Sequence, residues 1–166
     1  MKDEIKLIRA EVDDISEIYR LASKIWNAHY VPIIGQVQVN YMLEKMYSSE
    51  SLSDQLVTKN HLFYLIQAMG QNIGFISLSG QENMFIHKFY IDQDVQSKGY
   101  GAQVFHQILE NFPTARSFEL TVNRKNYKSI NFYFKIGFKI DHIDDFDIGD
   151  GYWMNDFIMR YYQVNN

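Results

Sequence analysis

At residues 95–102 the sequence reads Val-Gln-Ser-Lys-Gly-Tyr-Gly-Ala. An apolar run at residues 85–91 precedes it and predicts a strand, and an apolar-periodic run at residues 104–109 follows it and predicts a helix. A glycine pair at a strand-to-helix turn lets the backbone approach a ligand and directs helix N–H groups toward it. The stretch therefore predicts a phosphate site at the start of a helix.

Two commoner phosphate-binding motifs do not fit this turn. It lacks the third glycine of the dinucleotide-binding fingerprint. No Gly-Lys-Ser/Thr follows it, so it is not a P-loop. A glycine pair before a helix is also common without any ligand, and from these residues alone that alternative stays open.

Hydrophobic patterns over the rest of the chain predict a single domain at residues 1–166. Strands are predicted at residues 5–10, 61–69, 73–78, 84–91, 118–122, 138–143 and 153–161, and helices at residues 15–26, 37–47, 104–111 and 126–136. Residues 144–151 are expected to form an acidic loop. The order β-α-α-β-β-β-α-β-α-β-β indicates an α/β fold. We expect a mixed, mostly antiparallel sheet of about six to seven strands, flanked by about four helices.

Composition narrows the class of protein. The net charge of −4 gives no overall basic surface for nucleic acid, and without cysteine there is no disulfide or thiol catalysis. The charged residues 2–6 do not resemble a signal peptide, and no apolar run approaches membrane-spanning length. The expectation is a soluble, cytoplasmic protein that contacts neither nucleic acid nor membrane.

A second motif lies at residues 126–138, which read Asn-Tyr-Lys-Ser-Ile-Asn-Phe-Tyr-Phe-Lys-Ile-Gly-Phe. On a helix, Asn126, Ser129 and Tyr133 are three and four residues apart and share a face. The same residues also fit a helix-capping Asn, a small packing residue and a surface Tyr. Both interpretations remain open on these residues alone.

Together the two stretches resemble the GNAT superfamily of N-acetyltransferases. Residues 96–101 match that family's Arg/Gln-x-x-Gly-x-Gly/Ala loop for acetyl-CoA, and residues 126–138 match its Asn-x-x-Ala/Ser-x-x-Phe-Tyr-x-x-x-Gly-Phe segment. The resemblance is close from about residue 61 onward and covers the N-terminal helices only in layout. It implies an enzyme that moves an acetyl group from acetyl-CoA to a primary amine by direct attack in a ternary complex.

The resemblance also implies a set of site residues. Tyr133 would be the general acid that protonates the departing thiolate. For the general base, the residues themselves offer His87, on the strand that leads to the cofactor, with Glu82 just before that strand as the alternative. The residues expected to bind the cofactor are Phe89, Tyr90, Ile91, Gln96, Ser97, Lys98, Gly99, Tyr100, Gly101, Ala102, Asn126, Ser129 and Tyr133. His29, His61, His106 and His142 are expected at the surface or in packing. No cluster has metal-ligand spacing, so no metal is expected.

The acceptor side of the resemblance involves the first helices and the last hairpin, where Trp26 and Tyr30 are candidate substrate contacts. Residues 145–150 and 155–159 also look like those of bacterial polyamine acetyltransferases, which implies a polyamine or another small cationic amine as acceptor. A non-catalytic acyl-CoA-binding module and a nucleotide-binding protein are the alternatives. Exposed edge strands and the aromatic-rich C-terminus are compatible with a homodimer.

Overall fold

The structure, a computed structural model, describes residues 4–95 and 99–164, and its strands form one sheet. The sheet order is β1-β2-β3-β4-β5-β7-β6, and neighbouring strands are antiparallel except for β4 and β5. β4 and β5 are parallel, as expected for neighbouring strands that a helix connects. The strands are β1 Ile5–Arg9, β2 Leu62–Ala68, β3 Gln71–Gly80, β4 Asn83–Ile91, β5 Ser117–Asn123, β6 Lys139–Gly149 and β7 Tyr152–Tyr162.

Six α-helices flank the sheet in the described part of the chain: α1 Ile15–His29, α2 Val31–Ile34, α3 Gln36–Tyr47, α4 Ser49–Ser53, α5 Tyr100–Asn111 and α6 Tyr127–Lys135. The mixed, mostly antiparallel α/β fold predicted from the sequence is confirmed, with two more short helices than expected. Between residues 4 and 95 and between 99 and 164, no helix is both long and apolar enough to cross a membrane.

Each face of the sheet has its own hydrophobic core. On one face α5 and α6 pack over the sheet, and Phe105 meets Phe118 with ring centroids 5.7 Å apart. On the other face α1 and α3 pack over the sheet around Trp26 and Phe75. Because strand side chains alternate between faces, consecutive residues of one strand serve different cores.

The hydrogen-bonded ladder between β4 and β5 is short, so the two strands are paired over only part of their length. It joins Asn83 to Ser117, Met84 to Phe118 and Phe85 to Glu119, and in the described chain it ends there. β4 continues to Ile91 and stays paired with β3 on its other side. The two strands therefore separate beyond Phe85 and Glu119, which leaves a gap beside the second half of β4.

The expected acidic loop at residues 144–151 is wrong. β6 runs to Gly149 and β7 begins at Tyr152, so the connection is only Asp150 and Gly151, both with positive φ. The alternation Asp-Phe-Asp-Ile at residues 145–148 is typical of a strand, and pairing with β7 overrides the low strand propensity of Asp. The Tyr41 hydroxyl also donates to the Ile148 carbonyl at 2.7 Å, which holds the extension against α3.

Candidate active site

A cleft of about 560 Å³ lies beside the end of β4, past its last pair with β5. The end of β4, the start of α5, helix α6 and the end of α1 form its walls. Of the residues expected to bind the cofactor, those that line it are Phe89, Tyr90, Ile91, Gly99, Tyr100, Gly101, Ala102, Ser129 and Tyr133. The expected contacts Gln96, Ser97 and Lys98 lie outside the described residues.

The start of α5 forms the wall suited to an anion. Gly99 caps the helix with a φ of 75°, in the left-handed region that favours glycine. A Cβ at Gly101 would lie 2.7 Å from the ring of Phe132, so glycine lets the first turn of α5 pack closely against α6. The positive end of the helix dipole therefore faces the cleft, and Lys128 and Lys135 add positive charge from α6.

Helix α6 places Tyr133 in the cleft. Asn126 is the N-cap, and its side-chain oxygen accepts a hydrogen bond from the Ser129 N–H at 3.3 Å. One turn further, Tyr133 is only 8% exposed. Burial raises the pKa of Tyr133 well above its ordinary value, and Tyr30 adds to the rise. The phenol therefore keeps its proton at neutral pH.

The end of α1 forms the opposite wall with His29 and Tyr30. His29 was expected at the surface or in packing, but it lines the cleft. Its Nε2 lies 3.0 Å from the Asn126 side-chain oxygen, and the Gln93 side-chain amide donates to its Nδ1 at 2.9 Å. The oxygen can only accept and the amide can only donate, so Nε2 carries the proton. Burial lowers the pKa of His29.

Tyr30 connects this wall to α6. The Asn126 side-chain amide donates to its hydroxyl at 3.4 Å. Its ring stacks on Trp26 with centroids 4.3 Å apart. Burial raises the pKa of Tyr30 to about 12, so this hydroxyl is also neutral at physiological pH. Tyr30 and Tyr133 thus place neutral phenols in opposite walls of the cleft, beside a helix N-terminus.

The family of the chain follows from a comparison with known domains. A model described as "Acetyltransferase (GNAT) domain" matches residues 31–155, about three quarters of the sequence. The chain belongs to the GNAT acetyltransferase family. The resemblance read from residues 96–101 and 126–138 is confirmed, and with it the class of enzyme, an acetyl-CoA-dependent acetyltransferase.

Individual relatives match part or most of the chain. Peptidyl-lysine N-acetyltransferase YjaB of Escherichia coli is 32% identical over 101 residues, which span 58% of this chain and 63% of YjaB. Spermidine N(1)-acetyltransferase of Thermoplasma acidophilum is 24% identical over 150 residues, 86% of this chain and 93% of that enzyme. The fold matches the PaiA N-acetyltransferase of T. acidophilum in complex with coenzyme A, with a TM-score of 0.80 at 23% identity over 96% of this chain and 99% of that one.

His87 does not line the cleft of this GNAT domain. It lies on β4, stacked on His61 with centroids 3.9 Å apart, and its Nε2 is 2.7 Å from the Ser79 hydroxyl. Burial, with the charges of His61 and Lys88, lowers the pKa of His87 to about 4. A group with so low a pKa is a poor acceptor for the proton of an alkylammonium ion. This placement does not favour the base role expected for His87.

Trp26 also lies away from the cleft. It is 2% exposed and sits behind Tyr30 in the α1–α3 core, so of the two expected acceptor contacts only Tyr30 forms part of the wall. Among the described residues, no group of three or more His, Cys, Asp or Glu side chains could hold a metal ion.

Proposed function

We propose that the protein transfers an acetyl group from acetyl-CoA to a primary alkyl amine, with a polyamine such as spermidine as acceptor. The observation that supports it most is the convergence of three elements on one cleft: the start of α5, the end of β4, and Tyr133 on α6. A thioester donor needs an anion site, a backbone edge for its arm, and a proton donor near its sulfur.

Successive parts of acetyl-CoA would fit successive parts of the cleft. The pyrophosphate would lie at the N-terminus of α5, where the helix dipole and the two lysines of α6 favour negative charge. The pantetheine arm would run along β4 at Phe89 and Tyr90, beyond the β5 ladder. Backbone N–H groups there would stabilise the charge that develops on the acetyl oxygen.

The transfer then needs little more than orientation and proton movement. With amine and thioester held in one cleft, the nitrogen attacks the acetyl carbon directly. The C–S bond breaks, and the sulfur leaves with the electron pair. Tyr133 supplies a proton to that sulfur, which makes the thiolate easier to expel.

Two observations support a cationic amine as acceptor. The relatives named above carry names that specify a lysine side chain and spermidine, and both present a primary alkyl amine. The β6–β7 hairpin, which packs through Ile148 and Met154 on the same core as Tyr30, also carries exposed carboxylates at Asp144, Asp145 and Asp147. Their negative potential would concentrate a polycation at this side of the molecule.

An acetyl-CoA consumption assay tests the proposal, with free thiol measured against a panel of amines. The panel contains spermidine, spermine, a lysine peptide, free amino acids and an aminoglycoside. We expect the highest turnover with spermidine or spermine. Turnover confined to the other amines would contradict the polyamine acceptor. Thermal stabilisation by coenzyme A without any thiol release would instead indicate a binding module.

A further inference from the structure

A carboxylate is buried at the middle of β7, on the sheet face that carries α1 and α3. Asp156 is 1% exposed and pairs with Asn123 at the end of β5. Met154 packs into the α1–α3 core, whereas Phe157 packs into the core on the opposite face. Because strand side chains alternate, Asp156 points to the same side as Met154. That is the face from which Tyr30 reaches the cleft.

The chain segment after β5 connects Asp156 to the cleft wall. The Asn126 N–H donates to the Asn123 carbonyl at 2.9 Å, and the Asn126 side chain donates to Tyr30. Asn123, which lies opposite Asp156 in the sheet, is therefore connected through Asn126 and two hydrogen bonds to the Tyr30 hydroxyl at the cleft. The charge of Asp156 also adds to the rise in the pKa of Tyr30 that burial causes. The carboxylate thus lies close behind the Tyr30 wall.

One carboxylate oxygen of Asp156 lacks a hydrogen-bond partner in the part of the chain that the structure describes. Its Oδ1 is buried and accepts no hydrogen bond from the described residues. Arg124, the cation whose charge acts on it, is bound to Asp145 at 2.6 Å. Within residues 4–95 and 99–164, Asp156 forms no ion pair. A buried carboxylate oxygen is rarely left without a donor, so the donor for Oδ1 is expected to come from a bound molecule.

We propose that Asp156 is the general base of the transfer and takes a proton from the acceptor ammonium through one bridging water beside Tyr30. This inference rests on the proposed function. One N–H bond of the ammonium breaks and its proton ends on the carboxylate. The nitrogen lone pair then forms the N–C bond as the C–S bond breaks. The departing sulfur takes the proton of the Tyr133 hydroxyl. The nitrogen then loses a second proton, which returns to Tyr133, and Asp156 releases the first proton to solvent.

The groups around Asp156 suit this role. Burial raises the pKa of Asp156 to about 6, the Thr121 hydroxyl and Arg124 oppose the rise, and Asp145 adds to it. Tyr30 after α1 also acts on it, and its strand partners Asn123 on β5 and Asp144 on β6 lie on the same side of the sheet. Such a carboxylate is still ionised at pH 7, and it holds a proton better than an ordinary Asp does.

The test compares the wild-type protein with Asp156→Asn, which keeps the shape and removes the base. At pH 7 we expect kcat/KM for the amine to fall by about 100-fold or more. At pH 10 roughly a quarter of an alkylamine with a pKa of about 10.4 is already neutral, against less than about 0.1% at pH 7, so the loss is expected to shrink to about fivefold or less. Asp156→Glu should recover part of the activity at pH 7. Asp54→Asn, which removes an exposed carboxylate far from the cleft along the chain, is the matched control and should match the wild type.

Equal activity of Asp156→Asn and wild type at pH 7, or a loss that is the same at pH 7 and pH 10, would overturn the proposal. Unchanged stabilisation by coenzyme A checks that the variant is folded. If the wild type acetylates no amine, the proposed function fails on its own. Calorimetry of spermidine binding to the coenzyme A complex then tests the position of Asp156. If spermidine binds Asp156→Asn at least about tenfold more weakly than wild type, Asp156 lies beside the ammonium. If spermidine binds both proteins equally, or binds neither, the proposed position of Asp156 is refuted.

Discussion

At the scale of single residues, Tyr133 combines burial with access to the cleft, and this predicts its role. Its raised pKa keeps the phenol protonated, so it can donate to a thiolate and regain the proton later. Tyr133→Phe removes only the hydroxyl. We expect kcat to fall by about 100-fold, because the thiolate then departs without an acid. The apparent KM for acetyl-CoA should change by less than about twofold, since the ring still fills the wall.

The matched control for this variant is Tyr127→Phe on the same helix. Tyr127 is 70% exposed and does not line the cleft, so its hydroxyl should be dispensable. Steady-state kinetics on both variants, with coenzyme A binding followed by thermal shift, separates chemistry from binding. If Tyr133→Phe turns over at the wild-type rate, another group protonates the sulfur.

Sequence patterns located some of the residues of the site better than others. The glycine turn and the α6 motif were predictable because their spacing itself encodes a backbone conformation and a helix face. His29 and Asp156 were not assigned a role, because their position depends on Asn126 and on strand pairing between segments far apart in the chain. The position of Trp26 behind Tyr30 was not predictable, because the aromatic pattern of α1 does not show which ring covers the other.

At the scale of elements, the close approach of β3 and β4 sets the position of the cleft. A Cβ at Gly74 would lie 2.1 Å from the Tyr90 carbonyl oxygen, a backbone atom that cannot turn away. Gly74→Ala must therefore push the end of β4, which lines the cleft. We expect a loss of about 1–3 kcal/mol in the free energy of unfolding, typical of overpacking, and weaker coenzyme A binding. Denaturant unfolding and calorimetry measure the two effects.

Ser77→Ala on the same strand is the control for that substitution. Ser77 also faces β4, but its buried hydroxyl has no hydrogen-bond partner among the described residues, so its removal should be nearly neutral. If Gly74→Ala is as stable as Ser77→Ala and binds coenzyme A normally, the close contact does not position β4.

The order of the elements was predictable because each strand and helix carries its own hydrophobic period. The extent of the last hairpin was not. Residues 144–149 are rich in Asp, and local propensity favoured a loop, whereas pairing with β7 and the bond from Tyr41 hold them in β6. Tertiary contacts thus determined the conformation of residues 144–149, where local propensity favoured a loop and period-two alternation favoured a strand.

At the scale of the whole molecule, the edge hairpin carries two features that bear on partners. Its exposed apolar side chains, among them Ile143 and Trp153, lie on the hairpin that ends the sheet. They are compatible with the homodimer expected from the sequence, which stays a prediction. The exposed carboxylates of the hairpin lie on β6, which pairs with β7 beside Asp156. Their negative charge would attract a cationic substrate to this side of the molecule.

Electrostatic attraction predicts how salt affects acceptor binding. The chain has a net charge of −4, and among the described residues neither Asp144 nor Asp147 forms an ion pair. Raising the ionic strength from about 0.01 M to 1 M shortens the screening length from roughly 30 Å to 3 Å. We expect the KM for spermidine to rise about tenfold over this range with little change in kcat, because screening weakens capture and leaves the reaction step unaffected.

The double variant Asp144→Asn/Asp147→Asn separates attraction by the hairpin from a general salt effect. In low salt it should already show a higher KM for spermidine, and its KM should respond less steeply to added salt than that of the wild type. A monoamine acceptor serves as the second comparison, because a single positive charge gains less from the same potential. If wild type and variant show the same salt dependence, the hairpin carboxylates do not attract the acceptor, and recognition of the amine then depends on the buried groups behind Tyr30.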